Sequence, residues 1–106
     1  MKKILLTLLI GVSSILFFGC ATQISAHAQK IIETEQSQIK DCKNLGEVSG
    51  YSSYGGLMMQ ETGKQYAKNE ALNLAADRNA THVVWTYATG SFTGGRAQGT
   101  AYSCKR

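Results

Sequence analysis

The hydrophobic pattern changes character at Cys20. Before it, Ile4–Phe18 is an uncharged, mostly apolar run behind Lys2 and Lys3. After it, large aliphatic side chains are sparse, and apolar positions are read by their spacing. Ala67, Ala71, Leu74, Ala75 and Arg78 recur at steps of three and four, which predicts a helix clearest over Gln65–Arg78. Ala67 to Ala75 form its inner face, widened by Leu72, while Lys64, Lys68, Asn69, Asn73 and Asp77 take the other side. An alanine face lets a helix lie close on a sheet but buries little area per residue. Asn79 stands where a left-handed residue ends helices.

Strands flank that helix. Thr81–Thr89 (THVVWTYAT) is β-branched and aromatic, and strict alternation puts Val83, Trp85 and Tyr87 on one face. Ala97–Cys104 puts Gln98, Thr100, Tyr102 and Cys104 on one side. The helix is expected to cover Trp85, Tyr87 and Tyr102. Upstream, Ile31–Thr34 with the segment around Ile39 reads as a first strand or extended arm. Leu45–Tyr51 is a second strand in which Leu45 and Val48 break alternation, so a bulge or turn is expected at Gly46. Ser49–Gly56 (SGYSSYGG) is a loop by composition, and Gly90–Gly95 a flexible connection or hairpin turn. The order β-β-α-β-β predicts a small α+β domain with one helix packed on an antiparallel sheet.

Charge excludes one class of partner. The chain of 106 residues carries a formal +4, but discarding everything before Cys20 leaves nine basic and seven acidic residues, a net of +2. Nucleic-acid binding is therefore not expected. The apolar run itself would rise only about 22 Å as a helix, short for a membrane span, and no basic cluster follows it. It reads as an export signal.

Phe17-Phe18-Gly19-Cys20 resembles the lipobox of bacterial lipoproteins, with a small residue before a thiol that abuts the apolar run. That resemblance implies a diacylglycerol on the Cys20 sulfur and cleavage before it. Ala26-His27-Ala28 is the competing A-x-A site, but it lies ten residues beyond the run. Ala21 in place of Asp implies, by similarity to enterobacterial sorting rules, an outer-membrane location with the domain facing the periplasm. The chain then divides into a signal peptide at 1–19, a lipidated cysteine and tether at 20–37, and the α+β domain at 38–106. The tether is expected to hold the domain clear of the headgroups. With Cys20 lipidated, Cys42 and Cys104 remain, an even number in an oxidising compartment, so a Cys42–Cys104 disulfide is expected, with two buried free thiols as the alternative.

A catalytic constellation is missing. The chain has no G-x-S-x-G, P-loop or Cys-x-x-Cys motif. His82 lies alone in its strand and His27 in the tether, and Glu33, Glu35, Asp41, Glu47, Glu61, Glu70 and Asp77 are scattered. Solvated surface is the default for those carboxylates, and no metal or other cofactor is expected. The stretch Gly50–Met59 has two readings. Tyr51 and Tyr54 among Ser and Gly, with Met58 and Met59 as a soft apolar pair, resemble a contact surface for a partner. Alternatively Leu57 and Met58 begin the helix and pack into the core, with the tyrosines shielding it.

Cys42-Lys43-Asn44-Leu45-Gly46-Glu47-Val48-Ser49-Gly50, an alanine-rich helix, Asn79-Ala80-Thr81-His82-Val83-Val84 and Ala101-Tyr102-Ser103-Cys104 follow in an order that resembles the DUF4156 group of small bacterial lipoproteins. Lys40–Val48 is also similar to part of the outer-membrane lipoprotein sensors of the Rcs envelope-stress system. The two likenesses together span about 38–104. With the lipobox resemblance and the missing catalytic constellation, they point to a non-catalytic, lipid-anchored envelope protein that contacts the membrane through its N-terminal lipid and binds an envelope protein or the wall, with a role in protein–protein interaction or envelope stress. A cell-wall enzyme accessory, or a lipoprotein that binds a small ligand or metal, is the alternative.

Overall fold

The computed structural model describes residues 23–105. The leader and Cys20 lie outside the described residues. The domain is a four-stranded sheet with one helix laid across a face. Strands β1 (Ile32–Thr34), β2 (Lys43–Ser52), β3 (His82–Ser91) and β4 (Gly94–Ser103) stand in the order β1-β3-β4-β2, and helix α1 (Gln60–Asp77) connects β2 to β3. β4 is antiparallel to both neighbours, while short β1 runs parallel to β3, so the sheet is mixed rather than wholly antiparallel. The α+β class and the element order are as expected.

Small residues decide how α1 sits. Gly63, Ala67, Ala71 and Ala75, four residues apart, are all buried and form its inner ridge. Rows of paired residues beneath it shrink toward its N-terminus: Trp85–Gly99–Val48, then Ala88–Ala97–Gly50, then Gly90–Gly95–Ser52. A Cβ placed on Gly50 would stand 1.9 Å from the Ala67 carbonyl oxygen, and one on Gly95 2.0 Å from that of Gly63. Backbone therefore rests on backbone at this end. The larger side chains Leu72, Val83, Ile31 and Val48 fill the other. Leu74, expected on the inner face, is exposed at its margin.

α1 starts at Gln60, five residues before the clearest periodicity, because its first turns are seated by the fit of Gly63 rather than by apolar side chains. It stops as expected. Asn79 adopts φ 61°, and the N–H groups of Asn79 and Ala80 donate to the carbonyls of Ala76 and Ala75 at 2.9 and 3.0 Å. This pairing satisfies the last-turn carbonyls.

Two bulges set which residues face the helix. In β2 the register shifts between Asn44 and Gly46, with Gly46 at φ 98°, so Leu45 and Val48 both reach the core. In β3 the register shifts between Trp85 and Tyr87. That extra residue overturns the expected alternation. Val83 and Trp85 face α1, but Tyr87 turns to the open face, and Ala88 and Gly90 take the inner positions. Tyr102, paired with His82, also lies on the open face, where its hydroxyl donates to Gln36 Oε1 at 3.3 Å. For Tyr87 the physical reason is room, because a tyrosine has no place where backbone meets backbone; Tyr102 faces outward by alternation with buried Ala101.

The polar stretch expected to serve as a spacer is packed from Gln23 onward. Ala28, in a short 3-10 turn (Ala28–Lys30), and Ile31 are core residues, and Ile24 packs against them. Three apolar side chains scattered among polar ones fill the flank of α1. The Cys42–Cys104 disulfide is present, at an S–S distance of 2.01 Å, and closes the ends of β2 and β4.

Candidate functional site

The end of the domain at the N-terminus of α1 carries the most exposed large apolar side chains among the described residues. Leu57 is 83% exposed, Met58 92% and Phe92 65%. Leu57 and Met58 lie in the link from β2 to α1, ahead of the helix and outside the core, contrary to the plainer reading of their pattern. Phe92 is at the tip of the β3–β4 hairpin, where Ser91 pairs with Gly94 across Phe92 and Thr93. The two segments touch: a Cβ on Gly55 would lie 2.4 Å from the Phe92 carbonyl oxygen. Ser91 Oγ accepts from the Thr93 N–H at 3.3 Å and donates to the Gly94 carbonyl at 3.1 Å, which holds the tip. Met59 is less exposed, at 38%.

The tyrosines part company. Tyr54 packs edge-on against Tyr66, ring centroids 5.1 Å apart, and is half-buried. It belongs to the scaffold. Tyr51 is a residue of β2 rather than of a loop; it pairs with Arg96, whose guanidinium lies 5.9 Å from its ring. It stands on the open face of the sheet, along with Tyr87 and Thr89. The expected loop surface is thus split between the apolar end and the open face.

Elsewhere, polar chemistry serves structure. Glu33, read from sequence as solvated, accepts from Lys68 Nζ and Trp85 Nε1 on the same carboxylate oxygen, each at 2.7 Å. Lys68 also lies 5.4 Å from the Trp85 ring centroid. Partial burial raises the Glu33 pKa, but the hydrogen bonds from Lys68 and Trp85 and the Lys68 charge outweigh it and hold the carboxyl below its ordinary range. Gln98 donates to Glu47, and His82 Nδ1 is hydrogen-bonded to Thr81 Oγ1 at 2.7 Å. Among the described residues no group of three or more His, Cys, Asp and Glu side chains is arranged to hold a metal ion. No described helix is long and apolar enough to cross a membrane.

Sequence reasoning missed two contributors. Phe92 lies in the Gly-rich stretch Gly90–Gly95, whose composition reads only as a connection or hairpin turn, and the segment it touches, at Gly55, is remote in sequence. Asn73 falls on the solvated side of the helix in the sequence pattern. It instead accepts from the Ser25 N–H and donates to the Gln23 carbonyl, both at 2.8 Å. Comparison of the chain with models of known protein families, with characterised proteins and with solved structures finds no match.

Proposed function

We propose that this chain is an exported, lipid-anchored and non-catalytic protein of the bacterial envelope, whose domain docks on another envelope protein. The docking end is formed by Leu57, Met58 and Phe92. One observation carries the reading: Leu57, Met58 and Phe92 are all strongly exposed, on two segments whose backbones touch at Gly55 and Phe92. Such groupings mark interaction sites on soluble domains, and methionine adapts readily to a partner's contour. The resemblance to the DUF4156 lipoproteins and to the Rcs sensors, which together span about 38–104, supports the same reading, as does the lipobox-like sequence Phe17–Cys20.

A photo-reactive amino acid at Met58 tests the docking end in intact cells. It is expected to capture a protein, and Leu57→Ser with Phe92→Ser is expected to abolish capture while the melting temperature stays within a few degrees. Capture no greater than from the same probe at Glu70 overturns the docking end. The anchor is tested by Cys20→Ala, which is expected to abolish incorporation of a palmitate analogue; persistent labelling refutes lipidation at that thiol.

A further inference from the structure

The segment after the proposed anchor is not a spacer. From Gln23 the chain is fastened to α1 and the core by independent contacts. The Asn73 amide holds the Gln23 carbonyl and the Ser25 N–H, as though it were a neighbouring peptide group. Ser25 Oγ accepts from the Ala28 N–H at 3.1 Å, and the Gln29 N–H donates to the Ser25 carbonyl at 3.1 Å. Ala28 and Ile31 are buried, and the Ile32 N–H donates to the Thr81 carbonyl at 3.0 Å as β1 begins. Only Ala21 and Thr22 separate Cys20 from this clasp. Three residue steps span at most about 11 Å even when fully extended.

From this we infer that the domain is held directly against a phospholipid surface, with the flank around Asn73 toward the headgroups. The inference rests on lipidation at Cys20. The flank that would face the lipid carries His27, Gln29, Leu74 and Asp77, all exposed. The apolar end lies at the opposite end of α1, about 20 Å from Asn73 by helical rise. A partner docking there is therefore one whose own site lies within roughly 30–40 Å of the lipid surface.

Trp85 is the chain's single tryptophan and an internal donor for measuring this height. The processed chain is placed in phosphatidylethanolamine/phosphatidylglycerol vesicles containing a dansyl-headgroup lipid, and energy transfer from Trp85 is recorded. A second form carries twelve Gly/Ser residues between Thr22 and Gln23, a flexible insert of about 20 Å root-mean-square length. Transfer in the natural chain is expected to be at least twice that of the insert form. Asn73→Ala is expected to fall between them with an almost unchanged melting temperature. Equal transfer in the natural and insert forms overturns the inference. Failure of lipidation itself is read separately, from the intact mass of the membrane-extracted protein. In that case Cys20 of the processed chain is coupled to a maleimide-headgroup lipid, and the same comparison decides the leash.

Discussion

One carboxylate oxygen of Glu33 ties three elements together: β1 through its own backbone, α1 through Lys68 and β3 through Trp85. Because the folded carboxyl titrates below its unfolded value, its contribution is fully present above the ordinary glutamate pKa, near 4.3, and is lost as pH falls through the lowered value. Glu33→Gln is expected to flatten the acid limb of stability below about pH 4.5 and to cost under about 1 kcal/mol at neutral pH, since the pair is partly exposed. Thermal unfolding across a pH series checks both. Gly63 poses the opposite balance. Alanine is favoured over glycine inside a helix by about 1 kcal/mol, yet a Cβ here would lie 1.9 Å from the Tyr54 carbonyl oxygen. The clash is against backbone and wins, so Gly63→Ala is expected to destabilise by about 1–3 kcal/mol in urea unfolding. Neither role shows in sequence, since a carboxylate and a glycine acquire these meanings only from distant neighbours.

Among the elements, β2 depends on help at its bulge. Arg78, just past the end of α1, donates to the Glu47 carbonyl at 2.8 Å and the Leu45 carbonyl at 3.4 Å, and Asn44 Oδ1 accepts from the Gly46 N–H at 2.7 Å. The helix terminus and the bulge are thus one joint, with a cation also placed favourably at the negative end of the helix. Arg78→Ala is expected to cost about 1 kcal/mol and to speed amide exchange around Leu45–Glu47 more than elsewhere. Uniform acceleration across the sheet would show instead that the joint has no local role. The bulge at Gly46 was legible because Leu45 and Val48 could not share a face otherwise. The bulge after Trp85 was not: THVVWTYAT reads as unbroken alternation, and only the crowding under α1 shows why Tyr87 turns away.

Across the whole molecule the core is thin. Among the described residues Val48 and Val83 are the largest side chains fully withdrawn from solvent, so covalent closure matters more than in a domain with a large core. The Cys42–Cys104 bond closes a sequence separation of 62, worth roughly 4 kcal/mol in the chain-entropy model. Reduction, or Cys104→Ala with Cys42→Ala, is expected to lower the urea midpoint sharply and to remove about 2–4 kcal/mol of stability. A midpoint unchanged by reductant would show that the small-residue packing suffices alone.

Sequence by itself determined what depends on counting or on near neighbours. An even pair of cysteines after Cys20 pointed to the bridge, four-residue spacing of alanines to the helix, Asn79 to its stop and the broken alternation at Leu45 to a bulge. Tertiary structure alone decided the parallel docking of β1, the turning-out of Tyr87, the clasp of Asn73 on Gln23 and Ser25, and the meeting of the Gly55 segment with Phe92. The pairing, the clasp and the meeting of segments join residues remote along the chain, and the turning-out of Tyr87 is settled by the space left between helix and sheet. Local pattern carries no measure of that space.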